Sequence, residues 1–329
     1  MASFQWIRYL ALLLAAFLNV GCALFTKAQE LSQEFVLPER APVLEEASWT
    51  ASDGLTLSYR SWRPEKEPEM VLLGVHGISG AAQDYEGLAK HLRQAVGSIA
   101  IYAPNLRGQG QDPREKMRGD LESGRRWRQD LEEFSRLLQA RHPAARMVWF
   151  GESLGSVIVL NAFVEREARE VRVDALVLSS PIVHLRSKLP VWKELLFRSA
   201  ALVMPTFRVA LDQLGDEQAK EARVTATSIH QEQAKKTPWA VESYTLRQLE
   251  QIGAMVRRAD ENAAQIQVPL LVLYGGNDIF QEPWVIERFF QRVPAVDKEK
   301  RFYPEGYHLL LYDKVRQQVR QDVATWLQR

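Results

Sequence analysis

Apolar and polar positions alternate in two textures along most of this chain. Short, unbroken apolar runs occupy residues 70–75 (Met-Val-Leu-Leu-Gly-Val), 98–103, 147–150, 175–179 and 268–274. Runs of this kind mark strands buried on both faces, as in parallel sheets covered by helices. Between them, residues 85–94 and 122–140 carry helical patterning, and residues 314–328 predict a closing helix. Residues 300–303 read as one more short strand, and residues 47–62 as two strands around Ser52-Asp53-Gly54, a hairpin turn signal. The alternation predicts an α/β fold with a mostly parallel central sheet and helices on both faces.

One stretch breaks the rhythm. About ninety residues separate the strand at 175–179 from the strand at 268–274, too many for a structureless loop in a compact domain. Their patterning is helical, so residues 184–266 are expected to form an inserted helical cap. Its first part, residues 189–197 and then 200–207, is strongly apolar. That part is either a groove that receives an acyl chain or ordinary packing of cap on core. His230 and Glu242 lie in the same insertion, within reach of a substrate or simply on the surface.

Composition narrows the function. The 329 residues are 46% hydrophobic, enough for a large core, and the net charge is +1 from 42 basic and 41 acidic residues. A balanced chain of this sort lacks the basic excess that neutralises phosphates, so a nucleic-acid partner is not expected. There is one cysteine, Cys22, hence no internal disulfide and no cysteine-rich zinc site. Cys22 follows an apolar run at residues 9–20, and Arg8 is the one charge in the first 26 residues. The run is short for a membrane span and has the size of a signal-peptide core. Gly21-Cys22-Ala23 then resembles the end of a lipoprotein leader, although Asn19 stands where Leu is expected. The expected organisation is a leader over residues 1–22 with Cys22 as the lipidated residue, a tether over 23–45 and a catalytic domain over 46–329. An ordinary cleaved signal and an uncleaved anchor are the alternatives; all three export the chain or fix it to a membrane. Ala23, rather than Asp, after the cysteine favours an outer membrane, with the domain facing the periplasm.

The candidate chemistry centres on Gly151-Glu152-Ser153-Leu154-Gly155, set between the apolar run at 147–150 and a second one at 157–160. Gly-x-Ser-x-Gly between a strand and a helix is the form of a nucleophile elbow, a strained turn that exposes the serine hydroxyl. A serine hydroxyl is a poor nucleophile at neutral pH and needs an imidazole to take its proton and a carboxylate to orient that imidazole. In chain order the acid and the histidine follow the serine. Asp278 ends the turn Gly275-Gly276-Asn277-Asp278, just beyond the strand at 268–274, where open α/β sheets place functional groups. Of six histidines only His308 follows Asp278, in a Pro/Gly loop between the last strand and the last helix. Asp313 is a second acid in reach of the same loop. The developing oxyanion needs aimed donors: the Leu154 N–H, next to the nucleophile, and the Ile78 N–H, from His76-Gly77-Ile78-Ser79-Gly80 after the strand at 70–75. His76 reads as structural, since it precedes the nucleophile strand. No metal or organic cofactor is needed for this chemistry.

Taken together these motifs resemble the α/β-hydrolase fold family, and within it the monoglyceride lipase and lysophospholipase group with its serine aminopeptidase-like relatives. The resemblance runs from residue 46 to 329. It includes His76-Gly77, Asp84-Tyr85-Glu86-Gly87-Leu88-Ala89, Pro104-Asn105-Leu106-Arg107-Gly108-Gln109-Gly110, the elbow, Gly275-Gly276-Asn277-Asp278 and Gly306-Tyr307-His308. Asn105 and Gln109 stand where the family has Asp and His, which bears on loop geometry rather than on the reaction. Glu152 stands where it has His or Tyr. A carboxylate there either acts on the histidine or a substrate hydroxyl, or is a solvated or locally paired side chain. The resemblance implies a membrane-tethered serine hydrolase acting on a lipid or ester substrate, above all monoacylglycerol or lysophospholipid. An aminopeptidase-like activity, a small-ester carboxylesterase and a non-catalytic surface lipoprotein that binds through the fold are the rivals.

Overall fold

The computed structural model describes residues 40–165, 171–184, 191–210, 223–229 and 237–329. The expected leader with Cys22, most of the expected tether, and His230 lie outside the described residues. Residues 42–51 with 56–329 form one compact unit, which holds every strand and helix below.

Thirteen strands are described, nine of them in one sheet: β1 (Val43–Leu44), β2 (Ser48–Thr50), β3 (Thr56–Trp62), β4 (Met70–Val75), β5 (Ile99–Pro104), β6 (Arg146–Glu152), β7 (Ala175–Ser179), β12 (Leu270–Gly275) and β13 (Lys298–Tyr303). Their order is β1-β2-β3-β5-β4-β6-β7-β12-β13. The first three strands run antiparallel, as does the β3–β5 pair, and every pair from β5 to β13 is parallel. β1 falls within the stretch read from sequence as tether, and it pairs Val43 with Thr50 at the sheet edge.

The unbroken apolar runs have a structural cause: β4, β5, β7 and β12 are buried at every position. Successive side chains of a strand point to opposite faces, so each strand feeds two cores. On one face Leu72, Ile101, Val148, Phe150, Val177 and Leu273 pack with Leu88 and Leu92 of α1 (Glu86–Ala95) and Val319 and Val323 of α8 (Arg316–Leu327). On the other face Trp149 donates through Nε1 to Ser135 Oγ (3.0 Å) of α2 (Gly124–Arg141). Each fully buried aliphatic side chain of this kind stabilises the fold by about 1.5–3 kcal/mol.

The helix after the elbow, α3 (Leu154–Glu165), is buried around its whole circumference from Leu154 to Phe163. A helix apolar on all sides must be enclosed. Here the sheet covers one side, and α2, α5 (Leu246–Arg257) and α6 (Ala259–Ala263) cover the others. α7 (Pro283–Arg292) packs on α6 and follows β12. The last helices of the 184–266 insertion therefore belong to the layer over the sheet.

Among the described residues, the remainder of that insertion holds one helix, α4 (Val191–Val203), and two ribbons that the helical patterning does not announce. β8 (Arg208–Val209) pairs with β11 (Tyr244–Thr245), and β9 (Arg223–Thr225) pairs with β10 (Ser228–Ile229), both antiparallel. Strands of two or three residues are too short for a period to register. Hydrogen bonds to the core fix them instead: Arg208 donates to the carbonyls of Lys116 and Arg118, and the Leu309 N–H donates to Val224 O. Large apolar side chains of α4 and the turn after it face solvent, with Trp192 and Leu196 each 62% exposed and Leu202 72%.

Candidate active site

The carboxyl ends of β4, β6, β12 and β13 converge, and the loops leaving them carry Gly77 and Ile78, Ser153, Asp278 and His308. Ser153 follows β6 at once and begins the turn into α3. Its φ is +53°, a left-handed conformation uncommon in a residue with a Cβ. The turn is held from both sides: the Ser153 N–H donates to Ser179 O (2.9 Å), and Ser156 Oγ donates to Gly151 O (2.6 Å). Both motif glycines are sterically required. A Cβ at Gly151 would lie 2.5 Å from Gly155 O, and one at Gly155 would lie 1.9 Å from Val75 O. Gly155 thus lets α3 start flush against the end of β4, the strand that feeds the Ile78 loop.

A continuous hydrogen-bond relay leads away from the hydroxyl. Ser153 Oγ is 2.8 Å from His308 Nε2, and His308 Nδ1 is 2.8 Å from Asp278 Oδ2. A carboxylate only accepts, so Nδ1 carries the imidazole proton and Nε2 is free to accept from the serine. All three side chains are buried. The other oxygen of Asp278 accepts the Phe280 N–H (2.8 Å) and the Gln281 N–H (3.2 Å), which locks the carboxylate plane. The Phe280 ring meets His308 edge-on at 4.6 Å.

Asp313, the rival acid, is engaged elsewhere. Its two oxygens accept the backbone N–H groups of Tyr307 and Ala226, both at 2.8 Å. It shapes the loop carrying His308 and ties it to the β9–β10 ribbon, and Asp278 alone of the two meets the imidazole.

The loop after β4 is fixed by groups from distant segments. His76 Nε2 accepts the Leu106 N–H (3.1 Å), so its Nδ1 proton goes to Gly77 O (2.8 Å). Burial lowers the His76 pKa to about 4, and the ring is a neutral strut between two loops. Gln109 Oε1 accepts the Ser79 N–H (2.9 Å), and Ser79 Oγ lies 2.5 Å from the Tyr244 hydroxyl of β11. Asn105 Oδ1 accepts the Ala82 N–H (2.8 Å). The two departures in the 104–110 motif are thus structural ties. A Cβ at Gly77 would lie 3.2 Å from Ser153 Cβ, so the loop that continues into Ile78 passes against the nucleophile, and Leu154 opens α3, where helix N–H groups lack internal partners.

Two contributors escape local sequence reasoning, Ser180 and Gln281, and the burial of a third, Glu152, does too. Ser180 (φ +45°) donates its hydroxyl to His308 O at 2.6 Å. Gln281 accepts the N–H groups of Val183 and His184 (3.0 Å each), bridging the loops after β7 and β12. Glu152 is buried rather than solvated. The one sequence signal is position, since Ser180 and Gln281 both lie just past a strand's carboxyl end. Glu242 is exposed.

Sheet order, elbow and relay define an α/β-hydrolase of the serine class. Residues 66–315 match the family described as serine aminopeptidase, S33, and the chain belongs to that family. It is 24% identical over 293 residues to a monoacylglycerol lipase of Mycolicibacterium smegmatis, which covers 86% of this chain and 96% of the relative. Among solved structures it is similar to a soluble variant of the monoglyceride lipase of Saccharomyces cerevisiae in complex with a substrate analog. That match has a TM-score of 0.70 and 19% identity, over 89% of this chain and 96% of the other. It is also similar to the monoacylglycerol lipase of Paleococcus ferrophilus, with a TM-score of 0.68 and 20% identity, over 82% and 98%.

Proposed function

We propose that this serine hydrolase cleaves the carboxylic ester of monoacyl lipids, monoacylglycerols or lysophospholipids, through an acyl-enzyme on Ser153. The observation that carries the reading is the unbroken relay from Ser153 Oγ through His308 to Asp278 on a strained elbow. Ser153 Oγ attacks the ester carbonyl as His308 Nε2 takes its proton. His308 then protonates the departing alcohol oxygen, and the C–O bond breaks to leave an acyl-serine. Water, deprotonated by the same nitrogen, attacks the acyl carbon; the acyl C–Oγ bond then breaks as His308 returns the proton to Ser153 Oγ, and the fatty acid leaves. Asp278 holds the Nδ1–H tautomer and stabilises the imidazolium in each step. The Ile78 and Leu154 N–H groups receive the oxyanion.

Two observations support a lipid as substrate. The relatives are named as lipases of monoacyl glycerides. The α4 segment presents Trp192, Leu195, Leu196, Leu202, Val203 and Phe207 to solvent, an apolar surface suited to an aggregated substrate. Membrane tethering through lipidated Cys22, at an outer membrane facing the periplasm, is proposed from the sequence alone.

A fluorophosphonate probe on the detergent-solubilised full chain tests the nucleophile. Labelling of the parent and not of Ser153→Ala supports it; a folded parent that does not label refutes it. Substrate class follows from rates on monoacylglycerols of graded chain length beside amino-acid arylamides. The arylamides represent the peptidase activity in the family's description, and faster turnover of them overturns the ester reading. Cys22-dependent incorporation of labelled fatty acid tests the tether.

A further inference from the structure

The loop that carries the Ile78 N–H closes as a four-residue turn, Gly77-Ile78-Ser79-Gly80, in which the Gly80 N–H donates to Gly77 O at 3.1 Å. Ser79 has φ +56°, and Ile78 has no positive φ. A negative φ followed by a positive one is the type II form, whose third position ordinarily takes glycine. A serine there is strained. Relaxation of Ser79 to negative φ would convert the turn to type I and invert the peptide between Ile78 and Ser79.

Two side chains from separate segments oppose that inversion. Gln109 is 0% exposed, and its Oε1 accepts the Ser79 N–H at 2.9 Å. An inverted peptide would turn the Ile78 carbonyl toward that oxygen, acceptor against acceptor. Meeting Ser79 with the oxygen leaves Gln109 Nε2 without a partner among the described residues, so the tie is kept although it strands a buried donor. The loop around Gln109 is itself fixed: the Asp112 N–H donates to Gln109 O (2.9 Å), and the Gly108 N–H donates to Asp112 Oδ2 (2.7 Å).

The second tie comes from the 184–266 insertion. Ser79 Oγ lies 2.5 Å from the hydroxyl of Tyr244, which is also 0% exposed. Tyr244 is anchored through the next residue. The Thr245 N–H donates to Gly119 O (2.8 Å), and Thr245 Oγ1 donates to Asp120 Oδ1 (2.7 Å).

We propose that Gln109 and Tyr244 are positioning residues that hold the Gly77–Gly80 turn in its strained form and so aim the Ile78 N–H at the oxyanion. That N–H belongs to the peptide next to the one that would invert, and the turn begins at Gly77, where a Cβ would lie 3.2 Å from Ser153 Cβ. Inversion would reverse a peptide dipole one residue from the donor and shift the backbone that carries it. The insertion thus supplies one of the two groups that set the oxyanion site. The proposal rests on the reading of Ser153 as nucleophile and Ile78 as oxyanion donor.

The test measures kcat and KM separately on a soluble aryl ester, with melting temperature, for the full chain in detergent. Gln109→Met removes the acceptor at similar size. It should lower kcat by about ten- to a hundredfold, less than outright loss of an oxyanion donor, because the donor is misaimed rather than deleted. KM should stay within about twofold, since the aim matters only once the oxyanion forms. Tyr244→Phe should lower kcat by about three- to tenfold with the same split.

Adding Ser79→Gly to either variant should recover most of the loss, because glycine takes positive φ without strain and the turn no longer needs holding. Adding Ser79→Ala should recover nothing, because alanine keeps the strain. General loosening of the site would raise KM, and a glycine would not repair it. Gln109→Met that folds with kcat within about twofold of wild type, or a loss that glycine leaves in place, overturns the proposal. If Gln109→Met does not fold, Tyr244→Phe, which loses a single hydroxyl, decides by the same two criteria. A wild type that neither hydrolyses esters nor labels refutes the hydrolase reading itself, whereas an active wild type with unaffected variants refutes the positioning role alone.

Discussion

Asp278→Asn isolates the orienting role of the acid, because the structure shows what the variant keeps. Asp278 Oδ1 accepts the N–H groups of Phe280 and Gln281. An asparagine retains that oxygen, so the turn after β12 should hold. The change falls on Oδ2, 2.8 Å from His308 Nδ1. An NH2 group there is a donor and forces Nδ1 to accept, which moves the imidazole proton to Nε2. An Nε2–H pointing at Ser153 Oγ cannot take the serine proton. The expected loss in kcat is about 10⁴-fold, the size of the tautomer effect in serine hydrolysis generally. At about 1.4 kcal/mol per decade this amounts to about 5 kcal/mol of transition-state stabilisation, with little change in melting temperature. The assay is kcat/KM on a soluble aryl ester together with the rate of fluorophosphonate labelling. Asp313→Asn is the control. Both Asp313 oxygens accept backbone N–H groups, so an amide leaves one donor facing another and should cost about 1–3 kcal/mol of stability. Its rate should fall far less. If Asp278→Asn stays within about tenfold of wild type, the orienting argument is wrong.

Arg107→Met removes the two 2.6 Å bonds that the buried guanidinium makes to the two oxygens of Asp130; urea unfolding should show a loss of about 3–5 kcal/mol. His76 is held neutral with its pKa near 4 against 6.5 in the unfolded chain. Its contribution is therefore present above pH 6.5 and lost as pH falls toward 4, a total of about 3 kcal/mol. The difference in melting temperature between wild type and His76→Gln should carry that slope, widening in favour of wild type as pH rises from 4 to 6.5. Leu196→Glu with Leu202→Glu, at exposed α4 positions, should leave stability within about 0.5 kcal/mol. The same pair should lower turnover of micellar monoacylglycerol tenfold or more, since burying a leucine in lipid contributes about 1.5–3 kcal/mol; turnover of a soluble ester should be unchanged. Equal turnover of the micellar substrate would mean that α4 does not meet the lipid.

What could be read from the chain alone was whatever local rules govern. β4 and β7 occupy the residues of their apolar runs, and β5, β6 and β12 lie within a residue or two of theirs, because burial on both faces leaves an unbroken apolar stretch. The elbow was legible because a strained turn between strand and helix admits only glycine at 151 and 155. Ser153, Asp278 and His308 were legible because parallel strands all end at one edge, so loops far apart in sequence open on the same place. Contacts across that edge have no local signature. The preference of His308 for Asp278 over Asp313 follows from where two loops pass each other in space. The same is true of the Ser180 bond to His308 and of the bridge made by Gln281. The ribbons β8–β11 and β9–β10 are shorter than any period, and the apolar stretch at 191–207 turns outward although composition alone suits a core equally well. Glu152 shows the division most clearly. Its side chain is as polar as any on the surface, and only the closure of Leu311, Tyr312 and the Asp84 turn over the end of β6 removes it from water.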